Sequence, residues 1–157
     1  MPRRPYKKPA FSPDPVYHSF EVEKLVNYIM MDGKKTVAYN NVYGAFDMLK
    51  ESKLDPLEVL HKAIANTAPT HEVKSRRVGG ASYLVPSETR EGRKLYLSYS
   101  SIISAARAKS NKQFHTFAEK LFSELMDAYQ NQGAAVEKKQ QAEKLAEANK
   151  AFAHFKW

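Results

Sequence analysis

Val73-Lys74-Ser75-Arg76-Arg77-Val78-Gly79-Gly80-Ala81-Ser82-Tyr83-Leu84-Val85-Pro86 is the stretch on which the reading of this chain turns. Two short runs compatible with extended structure (Val73, Ser75 and Val78, then Tyr83, Leu84 and Val85) flank a Gly-Gly pair, and glycine takes the positive φ angles a two-residue hairpin turn requires. The pattern predicts a β-hairpin at about residues 72–87. Side chains alternate along a strand, so Lys74 and Arg76 fall on one face and Arg77 on the other, and neither face is a plain apolar surface suited to a core. Two strands alone are marginal in water. The hairpin is therefore expected to be propped at its base by helices or ordered by a partner along its arms.

Outward from the hairpin, the chain reads as helix in both directions. On the N-terminal side, Asp55-Pro56-Leu57-Glu58 has the form of a helix start, with an Asp cap, Pro at the first helical position and Glu three residues after the cap; Pro69 bounds that third helix. A second helix is expected from about Lys35 to Lys50, with Ala38, Val42, Ala45, Phe46 and Leu49 as its apolar stripe. The first begins after Ser19, carries Val22, Leu25, Val26, Ile29 and Met30, and ends at Asp32-Gly33. On the C-terminal side, a fourth helix carries Leu95, Tyr99, Ile102, Ile103 and Ala106. A fifth is expected from about Gln113 to Gln130, with Phe114, Phe117, Ala118, Leu121, Phe122, Leu125 and Tyr129 marking it as core. The segment Ala134 to Ala151 has good helix formers but few large apolar residues beyond Val136 and Leu145, so a sixth helix is expected on the surface or against another macromolecule. The aromatic end, Phe152, Phe155 and Trp157, either folds back on the body or docks on a partner. The fold class is mainly α: a six-helix body, residues 19–157, with one protruding hairpin between helices three and four, preceded by a proline-rich arm, residues 1–18.

Charge distribution narrows the function. The formal net charge is +8; residues 1–12 carry +4, residues 13–72 carry −3, residues 73–112 carry +7, and residues 113–157 balance. The excess thus lies in the arm and in the hairpin with the helix that follows it, as two localised anion-binding elements. In the arm, Arg3, Arg4, Lys7 and Lys8 are interleaved with Tyr6 and Phe11, a pattern suited to pairing phosphates and stacking on RNA bases. Lys34 and Lys35 stand where a helix dipole disfavours cations but where exposed N–H groups favour a phosphate.

Catalysis has no visible foothold. The five histidines (His18, His61, His71, His115 and His154) are scattered without metal-ligand spacing, and Gly79-Gly80 lacks the Gly-Lys-Ser/Thr ending of a phosphate-cradling loop. No cofactor or small-molecule substrate is implied. The absence of cysteine removes disulfides and thiolate metal sites, and no apolar run reaches the ~20 residues that span a bilayer. A soluble, intracellular protein with a polyanionic partner and no membrane association is expected. A helical body with a basic β-arm also suits an architectural DNA-binding protein, which is the alternative reading.

The sequence resembles the bacterial-type small-subunit ribosomal protein seven family. The resemblance rests on Val-Lys-Ser-Arg-Arg-Val-Gly-Gly at 73–80 with Tyr83 and Val85-Pro86, on the Met-Pro-Arg-Arg start, on Met31-Asp32-Gly33-Lys34-Lys35, and on Ala146-Glu147-Ala148-Asn149-Lys150-Ala151-Phe152-Ala153-His154, collinear over essentially the whole chain. It implies a cytoplasmic structural protein of the small-subunit head, a primary binder of the 3′ major domain of ribosomal RNA that helps start head assembly. It implies proximity to exit-site transfer RNA and messenger RNA, and to small-subunit proteins nine and eleven. The ribosomal RNA contacts it implies are Arg3, Arg4, Lys7, Lys8, Lys34, Lys35, Lys74, Arg76, Arg77, Arg90, Arg93, Lys94, Arg107, Lys109 and Lys112. Near the exit site it places Val78, Gly79, Gly80, Ala81, Tyr83, Lys138, Lys139, Lys150 and His154. Three stretches depart from the pattern: Ser100-Ser101 stands where Arg-Trp is common, Glu137-Lys138-Lys139 is a weakened basic run, and the ending Phe155-Lys156-Trp157 replaces Tyr-Arg-Trp.

Overall fold

A computed structural model describes residues 12–155. Its elements run α1 (Phe20–Ile29), α2 (Lys35–Glu51), α3 (Pro56–Thr67), β1 (His71–Val78), β2 (Ala81–Glu88), α4 (Glu91–Ala108), α5 (Phe117–Tyr129) and α6 (Ala134–Ala148), and close on a 3₁₀ helix, Lys150–Phe155. This is the expected helical body with a two-stranded antiparallel hairpin between α3 and α4.

The helices start where their caps allow. The Ser19 hydroxyl accepts the Glu21 N–H at 3.2 Å, and the Asp55 carboxylate accepts that of Leu57 at 3.2 Å with Pro56 at the first helical position. Between α1 and α2 the chain turns at Asp32 (φ 52°) and Gly33 (φ 72°). α5 lies at the centre, packed on α2, α3 and α4, and contributes Leu121 and Leu125 to a core shared with Val22, Leu25, Phe46, Leu60 and Ile102. Its start differs from the expectation of Gln113. Thr116 accepts the Glu119 N–H at 3.3 Å while the Glu119 carboxylate accepts the His115 N–H at 2.8 Å, so local capping sets the first turn and leaves Phe114 outside the helix.

Several polar groups in the core pair across elements. Tyr99, fully buried, donates to the Glu21 carbonyl at 3.1 Å and ties α4 to α1. The Thr67 hydroxyl donates to the Ala63 carbonyl at 2.7 Å and accepts from the Ser98 hydroxyl, whose oxygen also lies 3.1 Å from the Ile64 carbonyl. Ahead of α1, buried Asp14 accepts the Tyr17 N–H at 2.7 Å and the Tyr43 hydroxyl at 2.7 Å, which fastens residues 14–17 to α2.

α6 is the thin helix that its composition predicts: Ala135, Val136 and Ala146 are buried, while Leu145 is 44% exposed. It stops at Ala148 instead of Ala151, because Asn149 turns its side-chain amide back onto the Leu145 carbonyl at 2.7 Å and the chain tightens into the 3₁₀ helix. That short helix folds back on the hairpin, which answers the alternative left open for the aromatic end as far as Phe155.

Candidate nucleic-acid interface

The hairpin turns on Gly79 (φ 58°) and Gly80 (φ 93°), between the paired residues Val78 and Ala81. Arg76 pairs with Tyr83 and Lys74 with Val85, so these four share one face, and Arg77, opposite Ser82, lies on the other. Its outer part is exposed and its root is held by helices. The Glu143 carboxylate of α6 accepts both the backbone N–H and the hydroxyl of Thr70 at 3.0 Å, just ahead of β1. Further along, the Tyr83 ring packs against Phe152 and Phe155, with centroids 5.2 and 5.3 Å away.

The cations expected at an RNA surface divide by environment. Lys74, Arg76, Arg77, Arg90 and Arg93 gather on the hairpin and its root, all exposed. Glu72 lies between Lys74 (3.3 Å) and Arg93 (3.1 Å), its side chain 14% exposed, and pairs with both. Arg93 also lies over the Tyr96 ring at 4.9 Å, and Lys94 is paired with Glu91 at 2.6 Å.

A second group lies at the far end of α4, whose length separates the two by roughly 25 Å at 1.5 Å per residue. There Arg107 donates to the Ile29 carbonyl at 3.2 Å, capping α1, and borders with Lys34 a hollow floored by Ile29, Met30 and Val37. Lys34 is exposed at the start of α2 and makes no side-chain cap. Lys35 bonds to Glu23, which also accepts the Tyr39 hydroxyl at 2.6 Å. Burial of Glu23 acts to raise its carboxyl, but the hydrogen bonds from Lys35 and Tyr39 and the lysine charge outweigh it and hold the group below its ordinary value.

Lys109 belongs to the interior. It meets Asp127 at 2.7 Å, Ser123 at 2.8 Å and the fully buried Glu124 at 3.2 Å, while Lys112 stays exposed. On α6, Lys138 bonds to Ser104, and Lys139 donates to the Asn66 carbonyl at 3.1 Å. His154 donates to the Ala151 carbonyl at 2.9 Å and lies against Phe155, and Lys150 borders the cleft between α6 and the hairpin. Arg3, Arg4, Lys7 and Lys8 lie outside the described residues, as do Lys156 and Trp157. Sequence reasoning missed Glu72 and Glu143, the acids that organise the hairpin root; neither stands in a motif, and both act across more than 20 residues of chain.

The family model described as Ribosomal protein S7p/S5e matches residues 1–150. The chain belongs to this family. Among its relatives, the small ribosomal subunit proteins uS7 of Thermotoga neapolitana and Caldicellulosiruptor bescii are each 49% identical to it, and that of a Sulfurihydrogenibium species 48%, with every alignment covering 100% of both chains. As a member of the S7p/S5e family it is a protein of the small ribosomal subunit, structural and not enzymatic, with RNA and the ribosome as its setting. Among the described residues no helix is long and apolar enough to cross a membrane, and no cluster of His, Asp or Glu could hold a metal ion.

Ser100 is exposed on α4, and Ser101 lines a cleft of about 260 Å³ bounded by Val73, Leu97, Lys138 and Leu145.

Proposed function

We propose that this S7p/S5e family member binds the 3′ major domain of small-subunit ribosomal RNA through two cationic groups at opposite ends of α4, and so fixes a folded RNA region in one arrangement and nucleates assembly of the subunit head. The observation that carries the reading is the concentration of exposed Lys74, Arg76, Arg77, Arg90 and Arg93 on the hairpin and its root, with Lys34 and Lys112 exposed elsewhere on the body. Phosphate neutralisation with counterion release supplies the affinity, and backbone shape dominates recognition because A-form RNA hides its base edges. The basic arm, residues 1–18, adds Arg3, Arg4, Lys7 and Lys8 to this surface.

The tip, Val78 to Ala81, is uncharged and its glycines are exposed. In this reading it meets exit-site transfer RNA and messenger RNA as a narrow wedge, beside Tyr83, Lys138, Lys139, Lys150 and His154. Small-subunit proteins nine and eleven are its neighbours, and the cytoplasm its compartment. Lys35, Arg107 and Lys109 contribute less to RNA affinity, since each already serves a buried partner in the helical body.

Filter binding to a transcript of the 3′ major domain tests the proposal. Arg76→Ala combined with Arg77→Ala weakens binding and lowers the slope of log affinity against log salt by up to about two, near one unit for each phosphate left without its cation. An unchanged slope removes both arginines from the interface.

A further inference from the structure

At the foot of the hairpin lies a hollow of about 380 Å³, bordered by Lys74 and Arg76 of β1, Val85 and Ser87 of β2, and Thr89 and Arg90 on the way into α4. The register places Lys74, Arg76, Val85 and Ser87 on a single face, so strand alternation itself gathers these walls. Val85 is 2% exposed and forms an apolar part of the wall; Glu88 sets a carboxylate beside the three cations. Two polar groups here are unsatisfied. Thr89 is 4% exposed, and its backbone N–H donates to the Thr70 carbonyl at 3.0 Å, yet its Oγ1 has no hydrogen-bond partner among the described residues, and neither has Ser87 Oγ. Buried hydroxyls are paired as a rule, and the Thr67–Ser98 pair shows that this fold meets the rule elsewhere. Two unmade hydrogen bonds in the wall of a cationic hollow call for a ligand that brings both an anion and a hydroxyl partner.

We propose that this hollow receives one nucleotide unit of an RNA backbone, its phosphate against Lys74, Arg76 and Arg90 and its ribose 2′-hydroxyl exchanging hydrogen bonds with Thr89 and Ser87. The inference rests on the reading of the hairpin root as an RNA contact, and adds to it a means of telling ribose from deoxyribose. A serine or threonine hydroxyl both donates and accepts, which matches the double character of a 2′-hydroxyl; a deoxyribose offers nothing in return. Both hydroxyl oxygens are closed off from solvent as they stand, so the proposal requires a χ1 turn between staggered positions to aim them into the hollow.

The experiment uses the full chain, the 3′ major domain transcript and a DNA duplex of matched length, with thermal melting of each variant. Thr89→Val with Ser87→Ala removes both hydroxyls while keeping size and charge nearly constant. The expected result is a loss of RNA affinity of about tenfold, near one net hydrogen bond, with unchanged salt slope and unchanged affinity for DNA. The melting temperature stays level or rises, because no internal hydrogen bond is lost. RNA affinity that is unchanged, that falls equally on RNA and DNA, or that falls together with the melting temperature overturns the proposal. A second variant, Lys74→Gln with Arg90→Gln, separates the two levels. If it weakens RNA binding and the hydroxyl variant does not, only the ribose site is wrong; if it leaves affinity and salt slope untouched, the hairpin root is no RNA contact and both readings fall.

Discussion

Phe152→Ala combined with Phe155→Ala should loosen the hairpin while leaving the helical core intact. Two strands on their own do not hold a fixed structure in water. Here the Tyr83 ring meets Phe152 and Phe155 at centroid distances of 5.2 and 5.3 Å, and both phenylalanines come from the closing 3₁₀ helix, which contributes no buried residue to the core. Each such aromatic pair is worth about 0.5–1.5 kcal/mol, so removing two weakens the hairpin's attachment by about 1–3 kcal/mol. Amide hydrogen exchange read by peptide reports this directly. Protection across β1 and β2 should fall by about 5- to 150-fold, the same free energy expressed as a local opening constant, while amides of α2 and α5 keep theirs. Thr70 remains fastened through Glu143, so the loss should be steeper toward the tip than at the root. Unchanged protection in residues 71–88, or an equal loss in α5, would refute the idea that this aromatic contact is what holds the hairpin.

Two further outcomes follow from the buried charges. Lys109→Met leaves the Glu124 carboxylate, fully buried, without its cation at 3.2 Å, and such a broken pair typically destabilises by about 3–5 kcal/mol; denaturant unfolding should show this as a lower midpoint, and a midpoint equal to wild type would mean that Glu124 is carried by its bond to the Ala135 N–H alone. Glu23 is held below its ordinary value of 4.5, so its contribution is complete above about that pH and is lost as pH falls through the lower folded value. Thermal melts from pH 6 down to about pH 2 should therefore show an acid limb that Lys35→Met displaces toward higher pH, and an acid limb identical in both proteins would exclude the ion pair as its source.

What was legible in the sequence is what local chemistry decides. The Gly79-Gly80 turn, the Ser19 and Asp55 caps and the apolar stripes of α2 and α4 each follow from residues a few positions apart, and the structure places them as read. The start of α5 has a local signal too, in Thr116-Phe117-Ala118-Glu119, a capping pattern that the apolar run beginning at Phe114 masks. Long-range pairing left no such trace. Glu72 with Arg93, Glu143 with Thr70, Lys109 with Asp127, and Tyr83 with Phe152 join residues between 18 and 73 positions apart, and no periodicity marks them.

These long-range pairings also explain why charge alone overstates an interface. Residues 73–112 hold nine of the chain's basic side chains, and the sequence offers no way to rank them. In the folded protein Lys109 neutralises an interior acid and Arg107 caps α1, so both act in holding the scaffold together. Arg93 and Lys74 are steadied by the same carboxylate, which lowers the net charge of the root but spares an incoming phosphate the entropy of ordering two long side chains. Affinity per cation should accordingly be higher at the root than for freely rotating lysines such as Lys112. A Glu72→Gln variant separates the two effects: added net charge alone would strengthen RNA binding, whereas loss of the positioned pair would weaken it even as the net charge rises by one.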